Sequence, residues 1–302
     1  MARDAIADSA LSPDAREVLE AHRASGTRFE AGGVRSFVRD RGDRRSNPVV
    51  LVHGVPASSF LYRKLIGALA DEGVRSLAFD FPGLGLAARP EGFDYTWSGL
   101  ARWFGTALES LGVDRCHLVV HDIGGPVALE WALANSDRVL SLTALNTILA
   151  PGDFRRPWVM RPFAVRGLGP VWLRATPPAV FAALFRLQGV ARRGAISRAE
   201  IDVHRHLVRR EDNGRAFLRI MRGFDLSDAR TRALADGFAA RPFPVRIVWG
   251  VEDPALGTEQ LAIAKRVLRV EDETRLPAKH FLQEDFAPAI AQVVADLVAP
   301  LG

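Results

Sequence analysis

An aspartate stands where a predicted strand turns into a predicted helix. The segment L-V-V-H-D-I-G-G-P-V places Asp122 after an apolar run and just before Ile123 and Gly124. A sharp strand-to-helix turn presents a reactive side chain and needs small neighbours, a need that Gly124 meets. Val120 occupies the position where the serine-type pattern G-x-S-x-G has glycine, so that pattern is not matched. Asp122 is therefore a candidate carboxylate nucleophile, and the alternative is that it caps the following helix.

A second turn precedes Asp122 in the chain and follows an apolar strand at residues 48–53. Its sequence is H-G-V-P-A-S-S, with Gly54 directly after the strand. Such a turn can aim the backbone N–H of Val55 at the same point as the N–H of Ile123, which would give the two donors of an oxyanion hole. The alternative is a simple loop that leads into the next helix.

A histidine and an acid complete the candidate site. Of the seven histidines, His280 in R-L-P-A-K-H-F-L-Q-E-D lies after all the other strand-end motifs, as the order of nucleophile, acid and histidine requires. The acid is then Asp253 in W-G-V-E-D-P, with Glu252 as the neighbouring alternative. Asp253 would fix the tautomer of His280 and stabilise its protonated form.

Alternating strands and helices must position these residues. Such alternation predicts right-handed βαβ units and a mostly parallel sheet, whose strand ends meet at one crevice. From about residue 150 to 241 the pattern is helical and rich in arginine and proline, which indicates a lid. The predicted units are residues 1–149, the first part of the core; 150–241, the helical cap; and 242–302, the second part of the core. The predicted elements are a hairpin at 28–40, strands at 48–53, 75–80, 116–121, 139–146, 245–249 and 271–276, and helices at 60–72, 98–111, 125–135, 259–268 and up to 297.

Composition limits the classes of partner. The chain has 302 residues and a formal net charge of +5, and residues 151–236 contain 17 Arg against 8 Asp and Glu. No nucleic-acid-binding module accompanies this charge, so we expect no nucleic acid. Charged residues and prolines interrupt the apolar stretch 171–190, which predicts a buried or lid helix pair and no membrane span, so we expect no membrane partner. The single cysteine, Cys116, and the lack of a secretory signal pattern predict a cytoplasmic protein.

Five ordered motifs resemble one branch of a known superfamily. They are H-G-V-P-A-S-S-F-L-Y-R-K-L from His53, D-F-P-G-L-G from Asp80, F-D-Y-T-W from Phe93, V-V-H-D-I-G-G from Val119 and K-H-F-L-Q-E-D from Lys279. Together they resemble the haloalkane dehalogenases and epoxide hydrolases of the α/β-hydrolase superfamily, over most of the chain outside the lid. The resemblance implies an α/β-hydrolase fold, with a mostly parallel central sheet, helices on both faces and an inserted helical lid.

The resemblance also implies a reaction at saturated carbon. Attack by a carboxylate on an ester would give only a labile anhydride, which argues against ordinary esterase work. In the resembled mechanism Asp122 forms an alkyl ester, and His280 then activates water against it. No metal or organic cofactor is implied. We expect a small, largely apolar substrate and a monomer or homodimer.

The sequence does not decide the leaving group. Dehalogenases typically place tryptophan after the nucleophile and often asparagine after H-G, whereas this chain has Ile123 and Val55. Trp158 and Trp172 in the lid are the remaining candidate donors to a halide.

Epoxide hydrolases usually open the ring with two lid tyrosines, but Tyr62 and Tyr95 both lie outside the lid. His204 falls near the position of the second tyrosine and is a candidate donor, although it also fits a helix-surface residue. The first hypothesis is a haloalkane dehalogenase-like hydrolase. An epoxide hydrolase and a non-catalytic small-molecule sensor on the same fold are the alternatives.

Overall fold

An eight-stranded sheet forms the centre of the molecule. The structure, a computed structural model, describes residue 8 and residues 10–301. The strand order is β1-β2-β4-β3-β5-β6-β7-β8. Strand β2 runs antiparallel to β1 and β4, and the other neighbours are parallel. The strands are β1 Thr27–Ala31, β2 Val34–Arg41, β3 Val49–Val52, β4 Ser76–Phe79, β5 Cys116–Asp122, β6 Val139–Thr147, β7 Val245–Gly250 and β8 Glu273–Leu276.

The central strands are continuous apolar runs because helices cover both of their faces. All residues of β3 and β5 are buried, as expected for parallel strands inside a three-layer fold. On one face of the sheet, a cluster of buried residues includes side chains of α2 and the last helix, α13. On the opposite face, a second cluster includes side chains of α3, α4 and α11. The helices are α1 Pro13–Ala24, α2 Arg63–Asp71, α3 Trp97–Ser110, α4 Gly124–Ala134, α5 Arg161–Ala164, α6 Leu168–Ala175, α7 Pro178–Gly189, α8 Arg198–Arg209, α9 Arg215–Arg222, α10 Asp228–Ala239, α11 Thr258–Leu268, α12 Leu282–Asp285 and α13 Ala287–Val298. The predicted mostly parallel sheet with helices on both faces is confirmed.

Helix α1 was not predicted from the sequence, in which the first predicted element is the hairpin at 28–40. Its narrow apolar stripe consists of Ala15 and Leu19, which are buried together with His22. The side chain of Ser12 caps the helix by accepting a hydrogen bond from the amide of Ala15 at 3.2 Å, and such a cap is a recognisable helix start. The helix packs against α8.

Helices α5 to α10 lie between β6 and β7, within the range predicted as the cap. Helix α10 packs on α4, where Gly237 meets Leu133 and Arg230 forms an ion pair with Glu130 at 2.5 Å. A parallel crossover requires such a helix against the sheet, and α10 serves as this crossover helix. We call helices α5 to α9 the cap helices. In the described part of the chain, no helix is both long and apolar enough to cross a membrane.

Candidate active site

Asp122 is the last residue of β5 and sits on a strained turn. Its φ is +52°, a left-handed conformation that costs a non-glycine residue about 1–3 kcal/mol. Helix α4 begins two residues later, and a side chain at Gly124 would collide with the backbone carbonyls of Val52 and His53. The hydroxyl of Thr147 donates to the carbonyl oxygen of Asp122 at 2.5 Å. Asp122 therefore occupies a tight strand-to-helix turn.

The carboxylate of Asp122 does not cap α4. Ile123 occupies the N-cap position, and no side chain caps the helix. Instead, the amide of Val55 donates to Asp122 Oδ1 at 2.7 Å, and the Ile123 amide is close enough to favour the charged form of the carboxylate. Gly54 permits this approach, because any side chain there would overlap the carboxylate. The amide of Val55 thus holds one oxygen of the Asp122 carboxylate, and the amide of Ile123, the other predicted oxyanion-hole donor, lies beside the same carboxylate.

The structure brings His280 and Asp253 to the same place. His280 Nδ1 donates to Asp253 Oδ2 at 2.8 Å, and His280 Nε2 lies 3.7 Å from Asp122 Oδ2. The ring is therefore fixed by Asp253 and faces the Asp122 carboxylate without a direct hydrogen bond to it. Glu252, the alternative acid, is exposed. Asp122, Asp253 and His280, which come from three distant parts of the chain, form one constellation.

Asp253 is buried, and each of its two carboxylate oxygens accepts two hydrogen bonds. Its Oδ1 accepts from the amides of Ala255 at 2.8 Å and Leu256 at 3.0 Å. Its Oδ2 accepts from Asn146 Nδ2 at 3.0 Å as well as from His280. Burial by itself would raise the pKa of Asp253, but the charge and hydrogen bond of His280 and the two amides outweigh it and lower that pKa. Asp253 is consequently a carboxylate whose charge faces the imidazole.

The pKa values of the other two groups shift in the same direction for different reasons. Burial raises the pKa of Asp122, against the opposing effects of the His280 charge and the Val55 and Ile123 amides. Burial would lower the pKa of His280, but the charge and hydrogen bond of Asp253 and the charge of Asp122 outweigh it and raise that pKa. Displaced pKa values in a cleft are typical of catalytic groups.

Two supporting residues were not predicted from the sequence. His121 donates from Nε2 to the carbonyl of His280 at 2.8 Å, and burial lowers the pKa of His121 to about 3, so its ring is neutral. Asn146, at the end of β6, ties Asp253 to β7 by donating to the carbonyl of Gly250 at 2.9 Å and accepting from its amide at 2.7 Å. A polar residue at the end of a buried strand was the available signal for each of them.

Two adjoining cavities lie in front of the constellation. The front cavity, of about 60 Å³, reaches Asp122 and is lined by Val55, Asp122, Phe154, Arg156, Pro157, Met160, Met221, Phe224, Ala255, Leu256 and His280. The cap cavity, of about 130 Å³, shares Pro157, Met160, Ala255 and His280 with it and is walled mainly by apolar side chains of the cap helices, including Trp172, Leu173, Phe181, Leu184, Phe185 and Phe217. A small apolar molecule fits such a site.

The three candidate donors of the cap end up in different places. Trp172 lines the cap cavity. Trp158 does not, because its side chain is 63% exposed on the surface. His204 is buried but lines neither cavity, and its Nε2 faces Glu284 Oε1 at 3.5 Å. The expectations for Trp158 and His204 are thus corrected: α8 turns His204 into an interior ionic cluster, and the chain before α5 directs Trp158 outward.

Arg156 is a functional candidate that was not predicted from the sequence. Among the described residues that line the front cavity, only Arg156 and His280 carry side-chain N–H groups. The guanidinium stacks over the ring of Phe224 at 4.8 Å and donates through one terminal nitrogen to the carbonyl of Met221 at 3.0 Å. Its Nε is buried without a hydrogen-bond partner, and burial lowers the pKa of Arg156. An arginine-rich segment gave no signal that would single out this member.

No group of three or more His, Cys, Asp or Glu side chains in the described part of the chain is arranged to hold a metal ion. The groups that the site offers for chemistry are a buried carboxylate, an imidazole with its acid, two amides and one guanidinium.

Comparisons with known proteins identify the family of the chain and proteins of similar fold. The α/β-hydrolase fold family matches residues 47–287. Haloalkane dehalogenase 2 of Mycobacterium tuberculosis is 30% identical over 270 residues, covering 82% of this chain and 87% of the relative. The structure of haloalkane dehalogenase DbeA from Bradyrhizobium elkani aligns with a TM-score of 0.75 at 21% identity, over 92% of this chain and 98% of that one. Epoxide hydrolase A from Mycobacterium thermoresistibile aligns with a TM-score of 0.76 at 21% identity, over 92% and 99%.

The chain belongs to the α/β-hydrolase fold family. Within that family it lies in the branch of the haloalkane dehalogenases and epoxide hydrolases, and it is a hydrolase. The resemblance inferred from the five motifs is confirmed.

Proposed function

We propose that this hydrolase cleaves a carbon–halogen bond at saturated carbon through a covalent alkyl ester on Asp122. The observation that supports the proposal is that the two oxygens of the Asp122 carboxylate have different neighbours. Oδ1 is held by the amide of Val55 at 2.7 Å, and Oδ2 faces His280 Nε2 at 3.7 Å. A carboxylate held in this way is an oriented nucleophile that needs no base to remove a proton.

In the first step Asp122 Oδ2 attacks the carbon that bears the halogen. A carbon–oxygen bond forms as the carbon–halogen bond breaks, and the halide leaves with the bonding electron pair. The amides of Val55 and Ile123 keep Oδ1 in place, so the carboxylate approaches the carbon in a fixed orientation. The product of this step is an alkyl-enzyme ester together with a halide ion.

In the second step water cleaves the ester. His280 Nε2 takes a proton from the water, whose oxygen attacks Cγ of Asp122, and the tetrahedral oxyanion on Oδ1 meets the Val55 and Ile123 amides. Collapse breaks the bond between Cγ and the ester oxygen and releases the alcohol, which takes up the proton from His280. The Asp122 carboxyl, which keeps the second proton of the water, then loses it to solvent, so the carboxylate is restored and one proton is released for each halide. Asp253 stabilises the imidazolium in between. The oxygen of the new alcohol therefore comes from Asp122 in the first turnover.

Alkylation itself prepares the base. The negative charge of Asp122 is one of the causes that raise the pKa of His280, and that charge disappears when the ester forms. The imidazole then releases its proton more readily and is neutral when it must activate water. The same carboxylate thus acts as the nucleophile, and the loss of its charge then lowers the pKa of His280 and favours the neutral base.

Arg156 supports halide as the leaving group. A guanidinium offers positive charge and N–H groups to an anion but hardly ever gives up a proton, and a halide leaves without needing one. An epoxide oxygen has to be protonated as the ring opens. The two tyrosine hydroxyls that could do this donate elsewhere: Tyr62 to the carbonyl of Val52 at 2.8 Å and Tyr95 to that of Pro90 at 3.1 Å. The charge of Arg156 takes the place of the indole and amide donors that the family usually supplies.

A substrate panel tests this proposal. Short chloroalkanes, bromoalkanes and terminal epoxides are incubated with the protein while halide and diol are measured. Halide release from bromoalkanes with no diol from epoxides is expected. Diol formation without halide would replace the proposal by epoxide hydrolysis, and no product from any member would favour a sensor.

A pair of arginine variants tests the role of Arg156. Removing one preorganised donor of this kind lowers catalysis by about a hundredfold, so we expect that loss in the rate of halide release for Arg156→Met. Arg155→Met is the matched control, because Arg155 is exposed and lines neither cavity. Equal rates in the two variants would remove Arg156 from the reaction.

A further inference from the structure

Large apolar side chains are exposed on the cap. Trp158 is 63% exposed, Leu187 60% and Val171 54%. The described chain has seven large apolar side chains that are exposed, and six of them lie between residues 158 and 187. The seventh is Leu301. The full set in the cap is Trp158, Val165, Leu168, Val171, Val180 and Leu187. An accumulation of exposed apolar groups on one part of a surface indicates an interaction site.

The same segment is strongly basic. Residues 154–199 contain nine Arg and no Asp or Glu. Within 154–187, the part that carries the exposed apolar side chains, five arginines are exposed and form no ion pair with any carboxylate of the described part of the chain. They are Arg155, Arg161, Arg166, Arg174 and Arg186. Arg155, Arg161 and Arg174 donate to nearby backbone carbonyls, but no carboxylate of the described part of the chain neutralises the charge of the five arginines.

Four of the six exposed apolar residues lie on the outer side of helices whose inner side lines the cap cavity. In α6, Trp172 and Leu173 line the cavity, whereas Leu168 and Val171 are exposed. Helix α7 shows the same division, with Phe181, Leu184, Phe185 and Gln188 inside and Val180 and Leu187 outside. Residues three and seven apart share one side of a helix, so each helix presents its own apolar strip outward. We call the six exposed apolar residues and the five exposed arginines the cap face.

We propose that the cap face docks on the surface of an anionic phospholipid bilayer. Aromatic and aliphatic side chains interleaved with arginine are the composition that inserts at the boundary between headgroups and acyl chains. Each basic residue close to an anionic leaflet adds attraction that fades within a Debye length, about 10 Å at 0.1 M salt. This docking is peripheral, in keeping with the finding that no described helix is able to cross a membrane. It replaces the expectation of no membrane partner.

The positive charge of the cap face favours a bilayer over a second copy of the chain or a soluble polyanion as the partner. A symmetric dimer through this face would place two segments without a single acidic residue against each other, and like charges at an isologous contact repel. A soluble polyanion would use the arginines but would leave Trp158 and Leu187 in water. An anionic surface with an apolar interior satisfies both groups.

The test is co-sedimentation of the full chain with vesicles. Vesicles of phosphatidylcholine alone are compared with vesicles that contain about 30 mol % phosphatidylglycerol, a typical way to set the surface potential. Binding to the anionic vesicles only is expected, with a loss of about tenfold when salt is raised from about 0.1 to 0.5 M. Equal binding to both compositions, or to neither, would overturn the proposal.

Paired variants locate the surface. Trp158→Ser combined with Leu187→Ser, and separately Arg161→Gln combined with Arg174→Gln, are each expected to weaken binding by about tenfold or more. The matched control combines Leu301→Ser with Arg266→Gln, which changes an exposed apolar and an exposed basic residue outside the cap. Equal binding by control and cap variants would place the contact elsewhere. A lipid-free dimer abolished by the Trp158→Ser and Leu187→Ser pair would show that a second copy covers this face, and it would overturn the proposal. None of these readouts depends on the reaction at Asp122.

Discussion

Replacing Asp253 by asparagine should slow hydrolysis of the ester but leave its formation almost unchanged. The four hydrogen bonds of Asp253 explain this expectation. Oδ1 accepts from two backbone amides, at 2.8 and 3.0 Å, and must remain an oxygen. In Asp253→Asn the new NH₂ group therefore faces His280 Nδ1 and Asn146 Nδ2. Asn146 has other acceptors in the carbonyls of Gly250 and Leu256, but His280 has to turn its Nδ1 lone pair toward the amide. The proton then sits on Nε2, where it blocks the base.

The size of the decrease in the hydrolysis rate depends on the interactions that the Asp253→Asn substitution removes. A hydrogen bond to a charged group contributes about 1.5–3 kcal/mol, and a mismatched buried polar pair costs about 1–3 kcal/mol. Together these effects amount to about 2.5–6 kcal/mol, which corresponds to roughly 10²–10⁴-fold in the hydrolysis rate at about 1.4 kcal/mol per factor of ten. Attack by Asp122 on carbon does not use the base, so its rate should change by less than about tenfold.

Rapid-quench kinetics with a bromoalkane that the parent enzyme hydrolyses provides the assay. Asp253→Asn should release one equivalent of bromide in a burst and then turn over slowly, because the alkyl ester accumulates. Glu252→Gln is the matched control, since its side chain is exposed and next in sequence, and it should behave like the parent. Steady-state turnover above about a tenth of the parent rate, or slow release without a burst, would refute the reasoning about the tautomer.

Four further outcomes are expected from the same geometry. Gly54→Ala should abolish turnover, since its side chain would overlap the Asp122 carboxylate, whereas Gly67→Ala, which meets nothing within 4 Å, should leave activity intact; equal activities would contradict the placement of Asp122. Hydrolysis of the ester needs the neutral form of His280, so its single-turnover rate should decline as pH falls, whereas the rate of alkylation should not follow the same curve. The decline should be centred below the pKa of His280 in the free enzyme, because the ester has lost the Asp122 charge that helps to raise that pKa; a hydrolysis rate independent of pH would contradict His280 as the base. Asp122→Asn should lower the pKa of His280 measured by NMR, by removing a negative charge; an unchanged value would separate the two groups. Thr147→Val should reduce the free energy of unfolding in urea by about 1–3 kcal/mol, because it leaves the buried Asp122 carbonyl without its donor; a change below about 0.5 kcal/mol would show that water replaces the hydroxyl.

The core of the fold was accessible from the sequence because its signals are local. The buried strands are short runs of apolar residues, and Asp122 is marked by glycines that only a tight turn requires. His280 and Asp253 were predicted from strand ends, since the ends of parallel strands meet at one edge of the sheet.

The cap was less accessible, because the direction in which a cap side chain points depends on how its helix crosses its neighbours. His204 fits a cavity residue by position along the chain but is turned toward Glu284 and Arg63, which form an ion pair at 2.5 Å. Trp158 points outward and Arg156, two residues earlier, lines the front cavity. No periodicity in this short irregular segment distinguishes the two.

Covalent trapping tests the central claim most directly. The variant His280→Phe keeps Asp122 and its two amides but lacks the base, so it should still be alkylated by a bromoalkane and then fail to release the alcohol. Intact mass spectrometry should show one alkyl group per chain, and peptide mapping should place it on Asp122, with no adduct when Asp122→Asn is added. An unmodified mass after incubation with a substrate that the parent enzyme consumes would contradict the covalent mechanism.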